Sequence, residues 1–196
     1  MKKIILLLVI IVIGFNANLF AEENKKVKRI SEGKENAKIT IITYESLTCG
    51  HCADFHTNVY PNLKKDFIEK GLVKIEFRHF PLDVAAFNAA KVSQCKNDGD
   101  SKILNTLYAN QKKWVKGSSV EEANKHLQKF LTDEGIDVDF KTCINNKEIE
   151  DFVLNDRIDG VKNFNVNATP TIIINNQKFE KTLTYKNLKK ALEKLI

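Results

Sequence analysis

The chain has 196 residues, of which 43% are hydrophobic and 29% are charged, a balance that indicates a single domain with a hydrophobic core. This composition excludes a disordered chain and a small protein held together only by disulfides. The net charge of +6 is too small to indicate a nucleic-acid partner. The four cysteines are more informative, because Cys49 and Cys52 form a close pair while Cys95 and Cys143 stand alone.

Residues 1–21 are predicted to form a signal peptide. A basic start at Lys2 and Lys3 is followed by an apolar run over residues 4–13, and Ala21 precedes a polar segment. The apolar run is about half of the ~20 residues that a membrane helix needs, so we favour a cleaved signal over a retained membrane anchor. Export to the periplasm would place the cysteines where disulfides form and persist.

Residues 22–38 are predicted to form a polar leader with at most one short strand, and residues 39–196 to form the folded domain. The domain starts with Ile39–Tyr44, whose β-branched and aromatic residues indicate a buried strand. Pro61 is expected to kink the helix that follows without ending it. The apolar side chains of that helix recur at helical spacing, at Cys52, Phe55, Val59, Leu63 and Phe67.

The remaining elements complete an α/β domain of the form βαβ, helical insertion, ββα. Residues 73–78 alternate between apolar and polar side chains, which indicates a strand and completes a right-handed βαβ unit. Only helical patterns occur over about residues 82–162, which we interpret as an insertion. A strand at Thr171–Ile174, a turn at Asn175–Asn176 and a partner strand at Gln177–Glu180 form a predicted hairpin. The final helix is lined by Leu188, Leu192 and Leu195.

The segment Cys49-Gly50-His51-Cys52 lies where the first strand passes into the helix. At a helix N-terminus the Cys49 sulfur can accept backbone N–H bonds, whereas Cys52 lies on the apolar face and should be shielded. We therefore predict that Cys49 is the exposed sulfur that is attacked and that Cys52 is the resolving one. The helix dipole supplies only ~0.3–1 kcal/mol, so a strongly lowered thiol pKa also needs His51 and direct N–H bonds.

This dithiol is consistent with a zinc site, a structural disulfide or a redox-active pair. A zinc site needs two more ligands at close spacing, but Cys95 and Cys143 are distant in sequence. The histidines His56, His79 and His126 form no H-x-x-x-H pattern either. A purely structural disulfide is poorly suited to so tight a loop at an exposed helix start. A redox-active pair, which needs no metal and no cofactor, is the interpretation that we favour.

Three separated segments of the chain occur in the order of a known family. They are Tyr44 with Ser46–Cys52, then Phe77–Leu82, and finally Ala168–Thr171. In these segments, and over about residues 34–196, the sequence resembles the DsbA-like branch of the thioredoxin superfamily. This resemblance implies a thioredoxin fold in which Pro170 is cis and faces the dithiol, and in which the backbone of Thr169 pairs with an extended substrate segment. It also implies an oxidase of exported proteins with free thiols, which a DsbB-type membrane quinone reductase reoxidises.

Two departures from the best-known members of that family bear on the chemistry. The residues between the cysteines are Gly50 and His51 in place of Pro-His, a dipeptide similar to that of eukaryotic disulfide isomerases. Thr43 stands where the family usually has a buried acidic residue, six positions before the first cysteine. Glu45 lies two residues further on and on the same face of a strand, so we hypothesise that it is the proton acceptor for Cys52.

Cys95 and Cys143 both lie in the predicted insertion, as two buried free cysteines or as a structural disulfide. Export favours the disulfide, and members of the resembled family often carry such a pair. A bridge between them would stabilise the domain by about 4 kcal/mol in the loop-entropy model.

We therefore expect a monomeric, exported thiol:disulfide oxidoreductase that acts as a dithiol oxidase through Cys49 and Cys52. A disulfide isomerase or reductase is one alternative, and the reduction potential separates it from an oxidase. A non-catalytic peptide-binding module that kept the fold is the other alternative. In that case the pKa of Cys49 should be close to the ordinary value of a thiol.

Overall fold

The computed structural model describes residues 26–196, so the predicted signal peptide at residues 1–21 lies outside the described residues. One mixed sheet is formed by β1 (Ser31–Glu32), β2 (Ile39–Glu45), β3 (Val73–His79), β4 (Thr171–Ile174) and β5 (Gln177–Lys178). The strand order is β1-β3-β2-β4-β5. β2 and β3 are parallel, and every other neighbouring pair is antiparallel.

Helices cover the sheet and build the insertion. The helix α1 is a continuous run of four segments, Gly50–Asp54, Phe55–Val59, Tyr60–Leu63 and Lys64–Ile68, of which the second and fourth are π-helical. The insertion contains α2 (Val84–Gln94), α3 (Lys102–Ala109), α4 (Gln111–Trp114), α5 (Val120–Asp133), α6 (Phe140–Asn145) and α7 (Lys147–Phe164), and α8 (Tyr185–Leu192) follows the hairpin. The predicted thioredoxin fold with a helical insertion is confirmed. Within residues 26–196, no helix is long and apolar enough to span a membrane.

The two faces of β2 pack against different helices, because successive side chains of a strand point to opposite faces of the sheet. Ile39 and Ile41 belong to the larger hydrophobic core, which includes the apolar face of α1. Ile42 and Tyr44 belong to the smaller core on the other side, where Phe164 of α7 packs against them. By the same alternation Glu45 lies on the α1 side, where it is only 3% exposed.

Pro61 is accommodated by the wide turn that precedes it. The helix continues through Pro61, as predicted, and its preceding π-helical segment ends with a hydrogen bond from the Tyr60 N–H to the Phe55 carbonyl. Because proline lacks an N–H and its ring clashes with the carbonyl four residues earlier, an α-helical turn there would be strained. The wider π-helical turn relieves this conflict without ending the helix.

The folded domain begins earlier than the predicted boundary at Ile39. Ile30 is 1% exposed and accepts a hydrogen bond from the Phe77 N–H, and the short strand β1 pairs with β3. The predicted polar leader therefore contributes an edge strand and a core residue. An isolated apolar residue in a polar segment gave no periodic signal, so the sequence could not locate this contact.

The hairpin and the last helix are shorter than predicted. Asn175 and Asn176 have positive φ values of 45° and 66°, as their place in a two-residue turn requires. β5 ends at Lys178, and α8 ends at Leu192. Leu195, which the sequence placed on the buried face of the last helix, is 39% exposed beyond its end.

A disulfide joins Cys95, at the end of α2, to Cys143 in α6, with a Cα–Cα distance of 5.4 Å. The two cysteines are 48 residues apart in sequence, and both lie within the helical insertion. The bond therefore ties two of the insertion helices together.

Candidate active site

The dithiol lies at the junction between β2 and α1. The turn that follows Glu45 is closed by a hydrogen bond from the Cys49 N–H to the Ser46 carbonyl at 3.0 Å. Cys49 is the N-cap residue of α1, and its carbonyl accepts the N–H groups of Cys52 and Ala53, each at 3.1 Å. Both thiols are free, and Cys49 is partly exposed, whereas Cys52 is buried at 0% exposure.

The surroundings move the pKa values of the two thiols in opposite directions. The Cys52 thiol and the backbone N–H groups of Cys52 and His51 donate hydrogen bonds to the Cys49 thiolate, which outweighs partial burial and lowers the pKa of Cys49 to about 5. Burial, the neighbouring Cys49 and the charge of Glu45 all raise the pKa of Cys52. At neutral pH, Cys49 is therefore a thiolate and Cys52 a thiol.

The loop that precedes β4 lies against Cys49. The Thr169–Pro170 peptide bond is cis, and the Cys49 sulfur lies 3.3 Å from the Thr169 carbonyl oxygen, to which it donates a hydrogen bond only while it is protonated. The hydroxyl of Thr169 is buried, and a hydrogen bond from this side chain to the Cys49 thiolate further lowers the pKa of Cys49. A groove of about 240 Å³ opens beside this loop, lined by His51, Phe55, Thr169, Pro170 and Leu183.

Gly50 and His51 are both exposed at the start of α1. A Cβ added to Gly50 would meet no atom within 4 Å, so packing does not require a glycine at this position. The absence of a side chain leaves the approach to Cys49 open on this side. A larger groove of about 540 Å³ begins here and runs between α1 and the insertion, past Ala53, Thr57, Tyr108 and Gln111.

Gln111 holds the backbone of the dithiol loop and is absent from the predicted site. Its side-chain amide donates hydrogen bonds to the carbonyls of Leu47, at 2.9 Å, and Cys49, at 3.0 Å. Because Gln111 opens α4, the insertion directly fixes the orientation of the Cys49 backbone. No sequence motif marks this contact, since a glutamine at a helix start is common for many reasons.

Glu45 and His56 form a buried pair beneath the dithiol. His56 Nε2 lies 2.7 Å from Glu45 Oε2, and the two side chains are 2% and 3% exposed. Glu45 is close enough to Cys52 for its charge to raise the pKa of that thiol. His56, which belongs to no zinc-ligand pattern in the sequence, is thus paired with a carboxylate. Across residues 26–196 there is no group of three potential metal ligands.

A thioredoxin fold with a Cys-x-x-Cys dithiol at the start of its first helix, facing a cis-proline loop, defines a protein of the thioredoxin superfamily. A family model described as thioredoxin matches residues 25–194, and the chain belongs to this family.

A solved structure shares this fold, and curated relatives have names that describe protein-disulfide oxidoreduction or disulfide bond formation. The crystal structure of α-DsbA1 from Wolbachia pipientis superposes with a TM-score of 0.76 at 29% identity, over 85% of this chain and 90% of that chain. Disulfide bond formation protein D of Bacillus subtilis is 25% identical over 174 residues, which are 83% of this chain and 74% of that protein. A Rickettsia conorii relative, provisionally named a protein-disulfide oxidoreductase, is 30% identical over 124 residues, or 60% of this chain. The chain spans 42% to 60% of the length of the first rickettsial relatives that it matches.

Proposed function

We propose that this protein is an exported thiol:disulfide oxidoreductase that introduces disulfides into exported proteins through Cys49 and Cys52. The observation that carries the proposal is the contrast between a partly exposed Cys49 with a pKa of about 5 and a buried Cys52 with a raised pKa. A stable thiolate favours the reduced form of the pair, so the disulfide form accepts electrons readily. The names of the relatives, which describe disulfide formation and protein-disulfide oxidoreduction, support this assignment.

The reaction consists of two thiol–disulfide exchanges. A substrate thiolate attacks the Cys49 sulfur of the Cys49–Cys52 disulfide, a mixed disulfide forms, and Cys52 leaves and takes up a proton. The second substrate thiolate then attacks the substrate sulfur of the mixed disulfide, and Cys49 leaves as a thiolate. Two electrons pass from the substrate to the dithiol. Of the two protons that the substrate thiols lose, one is balanced by the proton on Cys52 and the other is released to solvent.

We assign substrate binding to the loop of Thr169 and Pro170. An extended substrate segment would pair with the Thr169 backbone as an added strand, which makes recognition tolerant of sequence. The groove beside the loop gives a substrate side chain room to bind. His51 is assigned to the stabilisation of the Cys49 thiolate, and Gly50 leaves the approach of the substrate unobstructed.

The proposal places the protein in the periplasm, as a monomer, after removal of residues 1–21. Its substrates are exported proteins that carry free thiols, and no metal or organic cofactor takes part. The reduced dithiol must pass its two electrons to another carrier before the next cycle. We assign this step to a DsbB-type membrane quinone reductase.

The test mixes the oxidised protein with a reduced, unfolded secreted protein that has one native disulfide, and follows its oxidation by mass spectrometry after thiol blocking. We expect stoichiometric oxidation, no oxidation by Cys49→Ala, and a trapped mixed disulfide with Cys52→Ala. The double variant Cys95→Ala/Cys143→Ala is the matched control, because it removes two sulfurs outside the site, and it should still oxidise the substrate. Absence of oxidation by the unmodified protein would overturn the proposal.

A disulfide isomerase or reductase is the second candidate, and the Gly50-His51 dipeptide favours it. Equilibration in glutathione buffers gives the reduction potential of the Cys49–Cys52 pair. A value of about −120 mV supports an oxidase, a value of about −180 mV supports an isomerase, and a value of about −270 mV supports a reductase.

A further inference from the structure

We propose that a basic groove between the β4–β5 hairpin and α8 binds the protein to anionic phospholipid surfaces. The inference goes beyond the proposed function, because the groove lies outside the dithiol site and needs no thiol chemistry. The groove has a volume of about 330 Å³ and combines four lysines with an apolar floor. Its lysines are Lys178, Lys181, Lys190 and Lys194.

The charge that lines the basic groove is of one sign. Lys178 and Lys181 come from β5 and the loop after it, whereas Lys190 and Lys194 come from α8 and the turn that follows it, and no carboxylate lines the groove. None of the four ammonium groups forms an ion pair within residues 26–196, and the neighbouring Glu193 pairs with Lys189 instead, at 3.9 Å. Four uncompensated charges of the same sign create a positive potential that attracts an anionic partner.

The floor of the basic groove is apolar and reaches the surface. Phe179 and Ala191 are partly buried against the larger hydrophobic core, and Leu195 is 39% exposed. Lysine stems also present methylene groups to such a surface while their ammonium groups stay in water. Lysines next to exposed apolar side chains are typical of surfaces that bind at the boundary between lipid headgroups and acyl chains. The combination therefore favours an anionic bilayer over a soluble polyanion.

Both walls of the basic groove are held in place by the fold. At the hairpin, the Asn175 N–H donates to the Thr40 carbonyl at 2.9 Å, and Asn175 Oδ1 accepts from the Thr40 N–H at 2.8 Å. On the other wall, Leu188 and Leu192 fix α8 on the core and are both 0% exposed. Because the groove is formed before a lipid binds, little ordering entropy opposes binding.

Edge protection explains only part of this lysine pattern. β5 is an edge strand of the sheet, and a lysine such as Lys178 commonly protects an edge from pairing with another chain. Lys190 and Lys194 do not belong to an edge strand, yet they face the same groove. Two separate elements therefore supply charge to one site.

The basic groove lies at the end of the sheet that is far from the dithiol. Asn175 is bonded to Thr40, near the start of β2, whereas the dithiol follows the end of β2 at Glu45. Five residues at ~3.3 Å per residue place about 16 Å of strand between these points. Binding to a bilayer through the groove would leave Cys49 facing the aqueous side, where exported chains could reach it.

The test measures cosedimentation with phospholipid vesicles as a function of salt concentration. One set of vesicles contains phosphatidylcholine alone, and the other contains equal parts of phosphatidylcholine and phosphatidylglycerol. Residues 22–196 are used, because the apolar run over residues 4–13 would bind lipid by itself and every described element lies within residues 26–196. We expect binding to the anionic vesicles that weakens as salt is added, and little binding to the neutral ones.

Two double variants with the same change in net charge locate the binding site. Lys190→Gln/Lys194→Gln should weaken binding to the anionic vesicles on the order of 10-fold. Lys141→Gln/Lys162→Gln is the matched control, since both lysines are exposed, lie in α6 and α7, and do not line the groove. The control should bind nearly as tightly as the unmodified protein, and thermal unfolding should show that both variants are folded.

Absence of binding to the anionic vesicles, or equal weakening in both double variants, would overturn the inference. Binding to soluble polyglutamate without binding to the vesicles would overturn it in favour of an acidic polypeptide as the partner. The proposed function is tested separately. A protein that binds vesicles but oxidises no substrate overturns the proposed function alone, and a protein that oxidises substrate but binds no vesicles overturns this inference alone.

Discussion

Replacing Cys52 by alanine removes the hydrogen-bond donor that contributes most to the low pKa of Cys49. A hydrogen bond to a charged group contributes about 1.5–3 kcal/mol, and one pKa unit corresponds to ~1.4 kcal/mol. Because Cys49 is partly exposed, water replaces part of the lost bond, and we take the lower end of this range. The pKa of Cys49, about 5 in the unmodified protein, should therefore rise by about one unit in Cys52→Ala.

The assay measures the rate of alkylation of the reduced protein by iodoacetamide as a function of pH, since only the thiolate reacts. Cys95 and Cys143 are joined in a disulfide, so the measured alkylation is that of Cys49. Cys52→Ser is the matched control, because its hydroxyl can still donate a hydrogen bond and should keep the midpoint close to that of the unmodified protein. A midpoint of about 8.5 in the unmodified protein, or an unchanged midpoint in the Cys52→Ala variant, would refute the reasoning.

Local geometry sets three further expectations. The double variant Cys95→Ala/Cys143→Ala should lose about 4 kcal/mol of unfolding free energy in urea titrations, because its unfolded chain is no longer cross-linked. Gly160→Ala should lower the unfolding free energy by roughly 1–3 kcal/mol, since its Cβ would lie 2.8 Å from the buried Tyr44 ring, and an unchanged value would contradict this packing. Because the pKa of Cys49 is lowered, ionisation of Cys49 stabilises the reduced fold at pH values above the ordinary pKa of a thiol. This stabilisation is lost as the pH falls through about 5. The Tm of the reduced protein relative to the oxidised protein should therefore increase between about pH 5 and pH 8.5, and a constant difference would argue against it.

The placement of the two thiols could be predicted from the sequence because their environment is largely local. A strand pattern, a Cys-x-x-Cys segment and a helix pattern follow one another directly, and the helix start decides which sulfur is exposed. The position of Glu45 could also be predicted, since strand alternation places it on the face that α1 covers. Glu45 is 3% exposed, which is consistent with the hypothesis that it is the proton acceptor for Cys52.

The contacts between residues that are distant in sequence could not be predicted in the same way. Asn105 and His56 are 49 residues apart in sequence and meet only because α3 packs against α1. The helical pattern of α3 identifies its apolar face but not which polar residue will face a histidine on another helix. Ile30 was missed for a similar reason, because its burial depends on the pairing of β1 with β3.

Two of the contacts to Cys49 come from late parts of the chain, namely the side chain of Gln111 and the carbonyl of Thr169. During synthesis the N-terminal part of the chain emerges first, so the dithiol segment is exposed before Gln111 and Thr169 have been added. Contacts between residues so distant in sequence form late in folding, because the intervening chain must first be closed into a loop. The complete surroundings of Cys49 therefore belong to the finished fold, and the contribution of the Thr169 side chain to its lowered pKa is missing until β4 has docked.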